Sequence, residues 1–542
     1  RHPHLYTNLG SLLKDLGYLA EAVKMYEKAV ECNATFDVAL ANLGNAIKDM
    51  GRVQDSIPWY LRAVEASPNF VEAVCGLANA MAGVCDWHAR DGLFTEIAVR
   101  WNAVAMANEE QTAKIFGVMG RGKRPTAKAY KRKLLKRINY VPAQSPKQTQ
   151  GVDKRRGWMD RVVEIVDQQL SDGSTWGRGV LLAQPTAADS SSLVRPTCGL
   201  VGFLEDICRL VPRVSTAPVT GLAVFLHNAL ELVRLIAGAH DACEVPEDKM
   251  RCWKHLMALI RNEGGWALRV VERAAVLIQR QWYWDAQQGS QHAIEALRNP
   301  QASVYKRPRL PAGLGAPLVP TVLPFHTFTY PLDAREVRLI SHRNALRLSF
   351  TTLGGGAPWL PSHVYPPPPP PDPQINIGYV SSDFNNHPLS HLMQSVFGMH
   401  DKQRFRVFCY ATTPPDGTVH RQKIEHEADV FVNCAAWSTQ RIVDQIASDK
   451  IHILVNLNGY TKGARNEIFA ARPAPVLVAF MGFAGTLGAG WCDYVVTDPI
   501  VCPPWTVRCE VRAERERRAH IASSSGGDVA KVLPKPEMQE KG

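Results

Sequence analysis

The chain lacks the usual fixtures of metal, redox and esterase chemistry. Its 12 cysteines are scattered with no Cys-x-x-Cys pair, which argues against a zinc ribbon and a disulfide framework. Free thiols suit the cytosol or nucleus. There is no Gly-x-Gly-x-x-Gly, no cluster with metal-ligand spacing and no Gly-x-Ser-x-Gly elbow, so redox nucleotides, zinc hydrolysis and esterase chemistry are not expected. No uninterrupted apolar run reaches the roughly 18 residues of a membrane span, and the opening RHPHLYTNLG has no signal-peptide core. No membrane association is expected. The chain opens inside a repeat without a methionine, as a fragment of a longer protein would.

What is present is a basic globular composition, and 542 residues leave room for three or four domains. Much of the net charge of +11 sits in Arg121–Arg137 and in the tail around VRCEVRAERERR. A run of that kind reads as a solvated face, so nucleic acid is not expected as a partner. The first 90 residues repeat internally. Asn8-Leu9-Gly10 returns as Asn42-Leu43-Gly44, Tyr26 as Tyr60, and Ala29-Val30-Glu31 as Ala63-Val64-Glu65, each 34 residues on. A third copy starts at Leu77-Ala78 and decays near Cys85-Asp86-Trp87. This period marks tetratricopeptide repeats, which bury a core by stacking and leave a groove for extended peptides. A protein partner or protein substrate is therefore expected.

Residues 91–156 form a basic segment with weak ordering signals, in which Gly117–Lys123 imitates a phosphate-binding loop. Arg124 stands where Ser or Thr would hold magnesium. Residues 157–320 read as mostly helical, through WMDRVVEIVDQQL, VFLHNALELVRLI, WKHLMALIRNE and RVVERAAVLIQRQW. In 321–365, Asp333 and Glu336 have capping-box spacing for a helix carrying His342. Residues 366–373 are a polyproline spacer. From there to 505, strands at INIGYV, FRVFCYA, VFVN, IHILVNLN, VLVAFMGF and DYVVTD alternate with helices at PLSHLMQSVF, HRQKIEHEA, TQRIVDQIASD and ARNEIFAA. Such alternation implies a doubly wound parallel sheet, whose ligands bind at the carboxyl ends of strands. The unusual residues fall at those ends, in SSDFNNH, NGYTKGARNE, GFAGTLG and DPIVCPP. Residues 506–542 read as a disordered tail.

The loop SSDFNNHPLSHLM sets Asp383 and His387 ahead of Pro388, which suits a first helical turn, with His391 one turn on. A histidine near neutral pKa could take a proton from a hydroxyl nucleophile. Asn458–Gly463, with Thr461 and Lys462, supplies a cation and backbone amides for a diphosphate or sugar hydroxyls. Gly482 and Gly485-Thr486 permit close backbone approach to a ligand. Group transfer from an activated, diphosphate-linked donor fits these residues.

GYVSSDFNNHPLSHLMQSVFGMH, IHILVNLNGYTKGARNEIFAARPAPV and FMGFAGTLG, preceded by the repeats, resemble the protein O-GlcNAc transferases, in a form closest to fungal members. The resemblance covers roughly 321–505 and the repeats. It implies an α plus α/β fold: a tetratricopeptide superhelix followed by a Rossmann-like lobe of GT-B type. It implies inverting, metal-independent transfer of N-acetylglucosamine from the donor substrate UDP-GlcNAc, with no cofactor, to Ser or Thr of nuclear and cytoplasmic proteins held in the repeat groove. By position in those motifs, His387 and His342 resemble the two proposed proton acceptors, and Asp383 the loop aspartate. Lys462 and Arg465 resemble basic residues of the catalytic face, with Thr461 and Pro388 beside them, and Met481 and Gly482 lie where the family lines the sugar pocket. The family has a second lobe that holds most of the UDP; the expectation is that this chain lacks it, and a catalytically inactive repeat scaffold is the alternative reading.

Overall fold

A computed structural model describes residues 2–67, 70–84, 158–183, 195–211, 221–240, 242–263, 265–354 and 357–502. The phosphate-loop mimic, the basic segment 91–156 and the tail 506–542 lie outside the described residues. Two compact units are present: Arg1–Pro366 with Gly485–Gly490, and Pro367–Ala484 with Trp491 onward.

The first unit begins with antiparallel helices α1 (Pro3–Asp15), α2 (Leu19–Cys32), α3 (Asp37–Asp49), α4 (Val53–Ala66) and α5 (Val71–Gly83). The repeated identities have a packing cause. A Cβ on Gly10 would meet the Tyr26 ring at 2.6 Å, and one on Gly44 would meet Tyr60 at 2.9 Å. Gly76 also lies against the Tyr60 ring, where a Cβ would come within 2.4 Å. Glycine on one helix thus admits a buried tyrosine from the next. The tyrosine hydroxyls close the pairs, Tyr26 on Ser11 Oγ at 3.2 Å and Tyr60 on Asn45 Oδ1 at 2.7 Å. One repeat further, Asn79 accepts instead from Tyr330, 251 residues away, at 2.7 Å. Helix α6 (Trp158–Gly173) packs against α5, and its Val162, Val166 and Leu170 join the core of the repeats together with Val322 and Tyr330.

Helices α7 (Arg178–Leu181), α8 (Cys198–Leu210), α9 (Gly221–Gly238), α10 (Glu247–Glu263), α11 (Trp266–Gln287) and α12 (Gln291–Arg298) surround a second apolar cluster holding Trp253 and Trp282. By length and composition α9 could cross a membrane, which the sequence reading did not anticipate. Its Ala223, Leu226, Ala229, Leu230, Val233 and Ile236 recur at helical spacing and face that cluster, as in a core helix. The predicted capping box forms at α13 (Ala334–Leu353): the Glu336 amide donates to Asp333 Oδ1 at 2.8 Å, and Glu336 Oε2 accepts from the Asp333 amide.

The second unit is the alternating α/β region. Strands β1 (Ile375–Ser381), β2 (Phe405–Ala411), β3 (Val430–Asn433), β4 (Ile453–Asn456), β5 (Val476–Ala479) and β6 (Tyr494–Val495) form one parallel sheet in the order β3-β2-β1-β4-β5-β6. Five of the six fall inside the segments expected to be strands, and β1 runs one residue past INIGYV, to Ser381. Helices α14 (Pro388–Met393), α15 (Val419–Glu427), α16 (Thr439–Ser448) and α17 (Glu467–Ala471) connect them. This is the Rossmann order, and its winding reverses between neighbouring β1 and β4. The expected helix over PLSHLMQSVF stops at Met393. Beyond it the chain turns and Phe397 is fully buried, edge-on to Tyr379 at 5.1 Å and Phe384 at 5.6 Å. His452 Nε2 meets the Pro369 carbonyl of the polyproline stretch at 2.9 Å.

Candidate functional site at the sheet switch point

Two loops leave the carboxyl ends of β1 and β4, on either side of the reversal, where doubly wound sheets bind ligands. The β1 loop carries Ser382, Asp383 and His387; the β4 loop carries Asn458, Thr461, Lys462 and Gly463. Strand pairing sets Val380 beside Asn456, so the loops start level with each other.

Asn458 joins them. Its Oδ1 accepts from the Ser382 amide at 2.9 Å, and its Nδ2 donates to Ser382 Oγ and Asp383 Oδ2, both at 2.8 Å, and to Thr461 Oγ1 at 3.1 Å. Ser382 Oγ lies 2.8 Å from Asp383 Oδ1 and 3.2 Å from the Lys462 carbonyl. A Cβ on Gly463 would fall 2.8 Å from that hydroxyl, and Gly463 has φ +83°, so glycine is needed there twice over. Two further asparagines shape the β4 loop. Asn456 Oδ1 accepts the Asn458 and Gly459 amides at 2.9 Å, its Nδ2 donates to Asn466 Oδ1 at 2.8 Å, and Asn466 Nδ2 reaches the Gly459 carbonyl at 2.7 Å.

The β1 loop is held from the other side by Thr413, whose hydroxyl donates to the Ser382 carbonyl at 2.6 Å, and by buried Arg421, which donates to the Phe384 carbonyl at 3.2 Å. His387 caps α14. Its Nδ1 accepts from the Leu389 amide at 3.2 Å and stands 3.9 Å from Asp383 Oδ2. In a neutral ring that bond puts the hydrogen on Nε2, so the ring offers a donor to a ligand. The His387 side chain is 46 % exposed and that of Asp383 is 11 % exposed, so the carboxylate forms a buried floor beneath an accessible imidazole. Pro388 occupies the first turn of α14. That helix has only six residues.

Lys462 is exposed on the β4 loop. Arg465 is held within the lobe: its Nε meets Glu467 Oε1 and its Nη2 meets Thr439 Oγ1, both at 2.6 Å. Met481 is 43 % exposed with φ +63°, inside a three-residue turn closed by the Gly482 amide on the Phe480 carbonyl at 2.9 Å. At Gly482 the space left by the missing Cβ belongs to the chain itself. That atom would fall 1.7 Å from the Leu457 carbonyl oxygen, so the glycine lets β5 close on the strand end carrying Asn458. Gly485–Gly490 belongs to the first unit, where a Cβ on Gly488 would meet the His342 backbone nitrogen at 2.5 Å. His342 also lies in that unit, on α13, and is 1 % exposed. Its Nδ1 is 3.0 Å from the Gly488 carbonyl and 3.1 Å from Arg269 Nη2.

The structure therefore gathers Asp383, His387, Pro388, Thr461 and Lys462 at one switch point. Asn456, Asn466 and Arg421 escaped the sequence reading. The visible trace of the two asparagines was their clustering at the end of β4.

Comparison with known proteins fits this arrangement. Residues 313–523 match the family model described as glycosyl transferase family 41, and residues 3–36 match a tetratricopeptide repeat. A curated Arabidopsis thaliana protein named "Probable UDP-N-acetylglucosamine--peptide N-acetylglucosaminyltransferase SEC" is 49 % identical over 191 residues, 34 % of this chain and 19 % of the relative. The Caenorhabditis elegans UDP-N-acetylglucosamine--peptide N-acetylglucosaminyltransferase is 44 % identical over 190 residues, 34 % of this chain and 16 % of the relative. The match thus spans less than a fifth of either relative's length. A solved mutant O-GlcNAc transferase from Thermobaculum terrenum aligns over 93 % of this chain and 55 % of its own, at 15 % identity and a TM-score of 0.36, a likeness too low to carry an argument.

Proposed function

We propose that this chain, O-GlcNAc transferase-like in its α/β region and repeats, transfers N-acetylglucosamine from UDP-GlcNAc to Ser or Thr hydroxyls of proteins. The observation that carries the reading is the switch-point crevice, where Asp383, His387, Thr461 and Lys462 converge within the segment matching family 41. In the proposed reaction the acceptor oxygen bonds to the anomeric carbon as the carbon–oxygen bond to UDP breaks, so the sugar inverts. UDP departs with the bonding electrons, and the hydroxyl proton passes to a base. Lys462 and the loop amides receive negative charge on the diphosphate. The His387 Nε2–H donates to a donor oxygen, and Asp383 stands behind the ring. Metal independence, protein substrates in the repeat groove and residence in cytosol and nucleus belong to the same proposal. The ten cysteines among the described residues are all free, a state that a reducing compartment maintains.

Calorimetric titration with UDP-GlcNAc tests the donor site. Saturable binding is expected, weakened about tenfold or more by Lys462→Ala, as suits loss of a charged hydrogen bond of ~1.5–3 kcal/mol. With binding established, transfer to a Ser-containing peptide should appear and should fall in His387→Ala. Absence of donor binding up to millimolar concentration would sink the reading and leave the repeat scaffold in its place.

A further inference from the structure

We propose that Asp416 is a positioning residue for His387, acting through the turn Asn385-Asn386-His387. Its consequence for turnover rests on the transfer proposed above. The His387 amide closes that turn on the Asn385 carbonyl at 2.8 Å. The Asn386 amide donates to Asp416 Oδ2 at 2.6 Å, and Asn385 Nδ2 donates to Thr413 Oγ1 and to the Pro414 carbonyl, both at 3.1 Å. The two residues ahead of His387 thus hang from the loop between β2 and α15.

The Asp416 carboxylate is itself held still. Its Oδ1 accepts from the Thr418 amide at 3.1 Å and from the Thr418 hydroxyl at 2.8 Å, and Thr418 is the residue before α15. Asp416 therefore joins the turn to a nine-residue helix, whose Arg421 donates to the Phe384 carbonyl at 3.2 Å. A site carried by loops keeps its geometry when regular elements support it from behind. The bond from the Asn386 amide ends on a charged acceptor, which makes it about twice as strong as one between neutral groups.

The His387 ring depends on this turn. His387 has extended backbone, φ −142° and ψ 146°, and Nδ1 reaches the Leu389 amide at 3.2 Å, the long end of a hydrogen bond. That contact is what puts the ring hydrogen on Nε2 and turns it outward as a donor. With the Asn386 amide released, the turn can swing and Nδ1 leaves the Leu389 amide. The neutral ring then shares its hydrogen between both nitrogens. A shift of about 1 Å in a reacting group can lower a rate on the order of a hundredfold. Asp416 thus acts on the reaction through the placing of another side chain.

The test reads the ring directly, by nitrogen NMR of the full chain carrying isotope-labelled histidine. The His387 signals, assigned by their loss in His387→Ala, should report hydrogen on Nε2 in the unaltered chain. Asp416→Ala should move them toward a mixture of tautomers. Asp416→Asn, whose amide oxygen still accepts from Asn386, should restore the single form. Asp416 is exposed, so its replacement leaves the core intact. His400, whose Nε2 lies 2.9 Å from the Tyr379 hydroxyl, is an internal reference whose signals should stay in place. In transfer to a Ser-containing peptide, Asp416→Ala should lower kcat roughly tenfold to hundredfold, with the UDP-GlcNAc Kd unchanged by calorimetry. An unchanged His387 tautomer in Asp416→Ala, or an unchanged kcat, would overturn the proposal. Absence of transfer by the unaltered chain would instead count against the transferase reading, and the ring signals would still decide the role of Asp416.

Discussion

Asn458 holds the two loops of the crevice in register, and its loss should be felt in both stability and ligand binding. Asn458→Ala would strip the partner from the Ser382 amide and from Asp383 Oδ2, both in buried residues. Each buried group left unsatisfied costs about 1–3 kcal/mol. Urea unfolding should therefore show a loss of ~2 kcal/mol or more, and UDP-GlcNAc titration should show weakened binding. An unchanged midpoint with unchanged affinity would mean that the loops keep their places without the amide. The sequence marked Asp383, His387 and Lys462 because their chemistry is conspicuous wherever it occurs. It did not mark how Asn458 is used, since that depends on the register of β1 against β4 and reaches 76 residues back to Ser382. Gly482 was legible as a place where backbone comes close; its neighbour, the Leu457 carbonyl, was not.

Among the elements, α13 carries a proton-linked joint. Burial pushes the Glu336 carboxyl up to about 7 from its ordinary 4.5, opposed by the Asp333 backbone N–H and reinforced by a hydrogen bond and charge from Asp167 on α6. The native chain then keeps a proton that the unfolded chain releases between those two values. The stabilisation is complete below about 4.5 and is lost as pH rises through about 7. Denaturant midpoints measured from pH 5 to 8 should decline across this window in the unaltered chain and decline less in Glu336→Gln, which keeps the capping-box geometry without the titration. Parallel profiles for the two chains would refute the linkage. Elements as such were largely legible: the capping box follows from the Asp333–Glu336 spacing, and each strand from its apolar pattern and polar end. The overlong expectation for α14 failed because burial of Phe397 against Tyr379 and Phe384 outranked continuation of the helix. α9 shows the converse ambiguity, since its composition satisfies a bilayer and a protein core alike, and only its packed face decides.

At the scale of the whole molecule, three apolar clusters among the described residues are separate. One lies among the repeats and one among α7–α12, both in the first unit; another lies in the second unit and contains Phe384, Phe397 and Val407. Calorimetric unfolding should accordingly resolve more than one transition. Phe397→Ala, which removes a fully buried ring, should lower one of them by the equivalent of about 3–5 kcal/mol and leave another in place. A single transition that shifts as a whole would show that the units unfold as one.

The Tyr330–Asn79 bond adds a temporal consequence. Ser11 and Asn45 meet tyrosines 15 residues later, while Asn79 must wait for a partner 251 residues downstream. At about 5–20 residues per second, a ribosome needs ~13–50 s to synthesise the intervening chain. Throughout that interval Asn79 in the nascent repeat array lacks the Tyr330 hydroxyl, which leaves a point of engagement for a chaperone.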